Sequence, residues 1–445
     1  MNSPVISIPP RSPPVQNVTD ILVAASVNSS SSILFADGEV EVVIEQGVQH
    51  VELKLEARHY KQASFASHLL HCLRALKVPT WQGLDIQPQD VRIYKVSGSL
   101  TNAVFFVSSS SLPAPRTVLL RIYGPSSGSL ISRVRELHAL HVLSSEYRIG
   151  PRVYGTFENG RIEEYFDSTT LSASDLRDPK ISRWIGARMA ELHSVDIEAI
   201  EGTSQDSRGE GKGWEIGAKK NVKSWIHPAR EVLALPAVSD ALREELDLDR
   251  FMHDWERYMQ WLASVDDVTK RSRRVYAHND TQYGNLLLLN KRNENLPEHR
   301  QIIVVDFEYA SPNPASFDIA NHFHEWTANY HRETPHILDC TRYPSKQERY
   351  NFYLAYLEHG TVSPDGRPLP KFELVGLLPD LDAQVRAWSP ASHAMWTIWG
   401  IVQAREDIEN EVEDPEFDYI GYSRCRLAAF RRELDELGIV GAAND

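Results

Sequence analysis

The sequence predicts an α+β chain of two lobes, a small strand-rich one followed by a large, mostly helical one. Three observations carry this. The 445 residues, 42% of them hydrophobic, exceed what one simple core organises and are ample for two. From Val91 to Phe166 short apolar runs alternate with turns, as in a meandering antiparallel sheet. After Asp167 the apolar spacing becomes that of helices.

Residues 1–58 read as an N-terminal extension. Its first 35 residues are rich in Pro and Ser and too poor in apolar side chains to order themselves. Alternating residues from Glu39 to Ile44 and from Val51 to Leu55, separated by Gly47, predict a hairpin of unassigned role.

Residues 59–166 form the expected small lobe. Its five antiparallel strands are Val91–Val96, Val104–Ser108, Thr117–Tyr123, Arg152–Phe157 and Arg161–Phe166, and its one helix, Ile131–Tyr147, lies between the third and fourth. Residues 167–445 form the large lobe, with helices predicted over Pro179–Val195, Phe251–Val265, Pro314–Tyr330, Lys346–Glu358, Leu381–Asn410 and Tyr422–Leu437. The Gly- and charge-rich segment Glu201–Lys220 reads as a surface loop.

A net charge of −14 with scattered Lys and Arg argues against nucleic acid and against an anionic membrane surface, and suits a cationic substrate. Cys72, Cys340 and Cys425 are far apart, so neither a disulfide framework nor a structural zinc site is indicated. The chain reads as cytoplasmic, without a secretory leader or a bilayer-spanning apolar run.

The chemistry concentrates in His278-Asn279-Asp280-Thr281-Gln282-Tyr283-Gly284-Asn285, which runs into the apolar strand Leu286–Leu289 and precedes Val304-Val305-Asp306-Phe307-Glu308. Phosphoryl transfer needs a carboxylate that orients the acceptor hydroxyl, and oxygen ligands that hold Mg²⁺ against the phosphates. Asp280 suits the first task, Asn285 and Asp306 the second. Polar groups at the ends of buried strands are costly unless something charged sits there.

In the small lobe, Ser97-Gly98-Ser99-Leu100-Thr101-Asn102 forms a turn whose small residues let backbone N–H groups approach phosphates. Arg121, a charge within the apolar strand Val118–Tyr123, needs a partner. Glu136 on the following helix is the expected one, leaving the guanidinium to hold phosphate oxygens.

These motifs resemble the choline/ethanolamine kinase family, most closely its fungal choline kinases, over about residues 60 to 440. The resemblance also rests on Gly150-Pro151-Arg152-Val153-Tyr154-Gly155, on Phe317–Trp326 and on Trp396-Thr397-Ile398-Trp399-Gly400. It implies a bilobal protein-kinase-like fold and transfer of the γ-phosphate of ATP to choline, the first step of the CDP-choline route to phosphatidylcholine. Ethanolamine, alone or alongside choline, is the alternative acceptor. The cofactors implied are ATP and Mg²⁺, and family members commonly form homodimers.

By the same resemblance Asp280 is the general base, and Asn285 and Asp306, assisted by Glu308, bind metal. Ser97, Gly98, Ser99, Asn102, Arg121 and Glu136 serve the phosphates, and adenine lies near Glu164 to Phe166. The acceptor pocket gathers Asp280, Gln282, Tyr309, Glu325, Tyr330, Trp396, Trp399 and Tyr422. A quaternary ammonium has no N–H to donate, so aromatic faces and a nearby carboxylate suit it. Trp396 and Trp399 are three apart on a predicted helix and share a face. Where choline kinases usually read Glu-Trp-Met-Tyr-Asp-Tyr, this chain has Glu325-Trp326-Thr327-Ala328-Asn329-Tyr330. A protein kinase fits less well, because Asp306-Phe307-Glu308 replaces D-F-G and no A-P-E segment follows. A non-catalytic cation-binding module fits less well too, because every catalytic position is filled.

Overall fold

The computed structural model describes residues 42–45, 48–96, 102–123, 133–201, 216–266, 272–361 and 367–439. The N-terminal tail, the turn Ser97–Thr101 and most of the 201–220 loop lie outside them.

Seven strands make one sheet: β1 Val42–Glu45, β2 Val48–Val51, β3 Val91–Lys95, β4 Asn102–Ser109, β5 Val118–Tyr123, β6 Val153–Phe157 and β7 Gly160–Glu164. Their order is β1-β2-β6-β7-β5-β4-β3. The five expected antiparallel strands are β3 to β7. The hairpin adds the other two, and β2 runs parallel to β6 with His50 opposite Thr156. It thereby covers the edge of β6, whose backbone groups would otherwise lack partners.

Helix α1 (Ala63–Ala75) lies against this sheet, although the sequence reading did not single it out. Its Phe65, Leu69, Leu70 and Leu73 share a core with Phe105, Leu120 and Ile162. Helix α2 (Arg133–Glu146) packs elsewhere: Leu140 and Leu143 join a large-lobe core that includes Tyr276, Tyr283 and Phe307. The two lobes are therefore tied through α2.

In β5, Val118, Leu120 and Ile122 are buried while Leu119, Arg121 and Tyr123 lie on the half-buried face. That alternation follows from the two-residue repeat of a strand and puts Arg121 opposite the α1 core.

The large lobe carries β8 (Ser168–Thr170), β9 (Arg274–Ala277), β10 (Leu286–Leu289), β11 (Ile302–Val304) and β12 (Ser311–Pro314). They form a three-stranded sheet, β11-β10-β8, and a pair, β12-β9. Helices α3 (Pro179–His193), α4 (Ile197–Glu201), α5 (Gly217–Leu233), α6 (Asp240–Leu246), α7 (Leu248–Val265), α8 (Ala315–Glu325), α9 (Lys346–Gly360), α10 (Lys371–Gln403), α11 (Arg405–Glu409) and α12 (Tyr419–Glu436) surround them. Gly186 lets α3 approach α9 closely, since a Cβ there would lie 2.8 Å from the Phe352 carbonyl oxygen. No helix among the described residues is long and apolar enough to cross a membrane.

Three boundaries differ from expectation. Helix α5 begins at Gly217, inside the segment read as loop, because Val222, Trp225, Ala229, Val232 and Leu233 bury one helical face. Helix α10 starts ten residues before Leu381, since packing of Leu374, Leu377 and Leu378 carries the helix through Pro379. Helix α8 stops at Glu325 rather than Tyr330, and the chain after it folds back on itself.

The partner expected for Arg121 is corrected by the structure. Cross-strand register puts Arg161 of β7 opposite Arg121. The buried Arg161 takes Glu136, with Nη1 donating to Oε1 at 2.7 Å, and also pairs with Glu163. Arg121 turns to Glu163 at 3.8 Å and across to Asp306 at 3.6 Å. Burial opposes charge on Arg121, but Glu163 and then Asp306 outweigh it and raise the guanidinium above its ordinary value. Arg161→Met should cost about 3–5 kcal/mol in urea unfolding, because buried Glu136 and Glu163 both lose their short contacts to the guanidinium and Glu163 keeps only the longer one to Arg121. A loss under about 1 kcal/mol, the level of a surface pair, would contradict this account.

Candidate active site

The loop from His278 to Asn285 joins β9 to β10, and its shape is set by Asp318 on α8. The Asp318 carboxylate accepts from His278 N at 2.9 Å, from Asn279 N at 2.8 Å and from His193 Nε2 at 2.9 Å. Burial alone would raise this carboxyl, but the His193 hydrogen bond and the neighbouring imidazoles hold it below its usual range. His278 Nε2 donates to the Val305 carbonyl at 3.0 Å, which ties the loop to the segment carrying Asp306.

Asn279 sits at φ 64°, a left-handed conformation uncommon for a residue with a side chain. Its polar groups hold it there. Its amide nitrogen donates to the Tyr309 carbonyl and to Ser311 Oγ, each at 2.9 Å. Its side-chain oxygen accepts from Asn313 at 2.7 Å, and its backbone carbonyl accepts from Asn321 at 3.0 Å. Strain of this kind persists only where surrounding bonds over-determine it.

The next residue, Asp280, is held through Asn285, whose Nδ2 donates to the Asp280 backbone oxygen at 2.9 Å and to Oδ2 at 2.8 Å. That orientation leaves the Asn285 carbonyl oxygen as the end free to meet a cation. Asp306 also has positive φ, 66°, and its Oδ1 is buried without a hydrogen-bond partner. An orphaned carboxylate oxygen beside an oriented amide is the donor chemistry a hard divalent cation takes. Burial, then the charges of Glu325, Asp306 and Glu308, push the Asp280 carboxyl well above its ordinary value. The cluster is therefore electrostatically incomplete without added cations.

Beside Asp280 an aromatic box forms. Tyr309 meets Trp396 at a ring-centroid distance of 5.3 Å, Trp396 meets Trp399 at 5.1 Å, and Trp399 meets Tyr422 at 5.9 Å, all edge to face. Trp399 Nε1 donates to Tyr309 Oη at 2.8 Å. Trp396 is more deeply set, with Nε1 donating to Asn321 Oδ1 at 2.7 Å, so Asn321 links the box to the catalytic loop. Tyr330 comes back over the end of α8, donating from its hydroxyl to Glu325 Oε2 at 2.6 Å. An uninterrupted helix would hold residues five apart on different faces.

The structure thus gathers Asp280, Asn285, Asp306, Glu308, Tyr309, Glu325, Tyr330, Trp396, Trp399 and Tyr422, with Arg121 reaching in from the small lobe. Gln282 uses its side-chain oxygen to accept from Gly284 N at 2.7 Å. Glu164 accepts from the backbone N–H of Arg152 at 3.2 Å, at the strand end that leads to Phe166. Ser97, Gly98, Ser99 and the Asn102 side chain lie outside the described residues.

The sequence reading missed two functional neighbours, Arg426 and Asn321, and assigned Asp318 no role. Arg426 offered a signal, being a charge four residues after Tyr422 on the buried face of α12. It is fully buried, and its Nη2 donates to Glu325 Oε1 at 2.9 Å while its Nε donates to Tyr422 Oη at 2.9 Å.

A carboxylate positioned on a strained loop, an oxygen site for a cation and an arginine reaching in from a β-rich lobe define an ATP-dependent phosphotransferase of kinase-like fold. Residues 93–431 match the family model described as choline/ethanolamine kinase. A choline kinase of Schizosaccharomyces pombe is 33% identical over 85% of this chain and 90% of its own length. One from Saccharomyces cerevisiae is 29% identical over 84% of this chain and 76% of its own. The chain belongs to the choline/ethanolamine kinase family. The crystal structure of a choline kinase from Cryptosporidium parvum shares its fold, with a TM-score of 0.64 at 23% identity over 84% of this chain and 97% of that one.

Asp318 gives this site a pH signature. With its carboxyl depressed in the native state, the stability it contributes is fully present above the unfolded value near pH 3.9 and is lost as pH falls through the lower native value. Asp318→Asn should lower stability by about 2–3 kcal/mol at pH 7, by leaving loop N–H donors poorly matched, and should flatten the fall in Tm below pH 4. An unchanged acid limb in thermal melts would remove Asp318 from this role.

Proposed function

We propose that this enzyme transfers the γ-phosphoryl group of Mg-ATP to the hydroxyl of choline, giving phosphocholine and ADP. One observation carries the reading: the Asp280 carboxylate, held by Asn285, adjoins a box of four aromatic rings whose neighbouring arginine, Arg426, is already bonded to Glu325. An alcohol bearing a quaternary ammonium fits both parts, its head against the ring faces and its hydroxyl toward Asp280.

In this reading Asp280 takes the hydroxyl proton as the choline oxygen bonds to the γ-phosphorus and the bond to the bridging oxygen of ADP breaks. Burial, then the charges of Glu325, Asp306 and Glu308, raise the Asp280 carboxyl, and the substrate ammonium would offset those charges. Asn285 and Asp306 would hold Mg²⁺, with Glu308 close by. Bound there, the ion would neutralise phosphate charge and orient the γ-phosphoryl group. Arg121, between Glu163 and Asp306, is placed to bind phosphate oxygens with a guanidinium its neighbours keep charged. Adenine would lie near Glu164 to Phe166, and the sequence assigns Ser97, Gly98, Ser99 and the Asn102 side chain, outside the described residues, to the phosphates.

Two measurements test this. Asp280→Asn should reduce turnover by about 100-fold or more while Mg-ATP still binds, as expected when a positioned base is lost. Near-normal turnover would reassign the base. Choline should be preferred over ethanolamine, and Trp399→Ala should raise KM for choline by about tenfold with KM for ATP nearly unchanged, since a desolvated cation–π contact is worth about 2 kcal/mol. An ATP defect in that variant would make Trp399 a packing residue.

A further inference from the structure

Among the described residues the acceptor box meets the carboxylates of Asp280 and Glu325, and each oxygen of Glu325 already accepts a hydrogen bond from the protein. Arg426 Nη2 donates to Oε1 at 2.9 Å and Tyr330 Oη donates to Oε2 at 2.6 Å. Both charged side chains are essentially without solvent contact, Arg426 at 0% and Glu325 at 3% exposed. Water therefore does not compete for these bonds.

Arg426 is itself fixed from several sides. Its Nε donates to Tyr422 Oη at 2.9 Å, its guanidinium lies 5.1 Å from the centre of the Tyr422 ring, and Nη1 donates to His393 Nδ1 at 3.4 Å. Behind it His393, Glu433, Ser389 and His324 form a mostly buried polar cluster. Ser389 Oγ donates to Glu433 Oε1 at 3.0 Å and lies 2.9 Å from His324 Nε2, while His393 Nε2 lies 3.5 Å from Glu433 Oε1. This backing leaves Arg426 little room to swing away from Glu325.

We propose that the Arg426–Glu325–Tyr330 bridge sets the acceptor choice of this enzyme, by engaging both oxygens of Glu325 so that N–H groups on a bound ammonium must compete with Arg426 and Tyr330 for that carboxylate. The inference rests on reading the aromatic box as the ammonium site. A trimethylammonium head loses nothing there, because it has no N–H to satisfy and binds ring faces. A primary ammonium must shed water from three N–H donors and regains from Glu325 only what Arg426 and Tyr330 leave to it. Arg426 also offsets part of the charge of Glu325, so the rings and Asp280 carry more of the box's attraction for a cation. Arg426 is thus a positioning residue, acting on the substrate through Glu325 and Tyr422.

The test is a ladder of acceptors, ethanolamine, N-methylethanolamine, N,N-dimethylethanolamine and choline, measured by ADP release. In the wild-type enzyme kcat/KM should climb with each methyl group. Tyr330→Phe frees Oε2, and Arg426→Lys keeps the charge but gives up the two-sided hold on Glu325 and Tyr422. In each, the ethanolamine-to-choline ratio of kcat/KM should rise by about tenfold, the size expected of one regained charged hydrogen bond, with KM for ATP unchanged. Arg426→Met combined with Glu325→Gln removes both charges, and choline preference should return.

Where an arginine variant folds poorly, Tyr330→Phe decides by itself, since it deletes one hydroxyl. A parallel fall for all four acceptors, with the ratio fixed within about twofold, would overturn the proposal and leave the bridge a purely structural element. A wild-type enzyme that uses neither choline nor ethanolamine would instead overturn the function proposed above.

Discussion

Three hydrogen bonds to one buried carboxylate shape the catalytic loop. Asp318 accepts from His278 N, Asn279 N and His193 Nε2, and so fixes where the chain leaves β9. Everything downstream takes its position from that exit. Asn279 is forced into a left-handed conformation and uses its amide to hold Tyr309 and Ser311, while His278 reaches Val305 and orients the approach to Asp306. Three residues further along α8, Asn321 bonds the Asn279 carbonyl and receives the Trp396 indole, so the same helix places the loop and one wall of the aromatic box.

Charge balance is the second constraint. Asp280, Asp306, Glu308 and Glu325 lie close enough that their mutual repulsion, with burial, raises the Asp280 carboxyl. Two arginines relieve the cluster from opposite sides. Arg121 approaches Asp306 from the small lobe, and Arg426 binds Glu325 from within the large one. The remaining deficit of positive charge is the one a divalent ion and a substrate ammonium would fill. The overall charge of −14 adds a field of the same sign.

The helical lobe holds these parts still by packing rather than by local preference. Helix α10 carries Trp396 and Trp399, contains two prolines, buries leucines along its first half and packs against α5, α8 and α12. Helix α2 belongs to the small lobe by sequence yet packs in the core of the large one, so Glu136 and the Arg161 network are coupled to the ground on which the catalytic loop stands.

Much of the site was legible in the linear chain. The residues from His278 to Asn285 and from Val304 to Glu308 are contiguous and flanked by apolar strands, so Asp280, Asn285 and Asp306 stood out as candidates, and the structure brings them together. The five strands β3 to β7 were legible because their two-residue alternation is local. The pairings were not. Glu136 was the nearest acidic residue after Arg121 along the chain, but sheet register placed Arg161 between them and gave Glu136 to it. Arg426, about a hundred residues from Glu325, was invisible as its partner because only the packing of α12 against α10 and α8 brings them to 2.9 Å. Sequence determines which groups can carry the chemistry, since that depends on side-chain type and short spacing. Tertiary structure decides which charge each group faces, because buried ion pairs form between elements that meet only when the core closes.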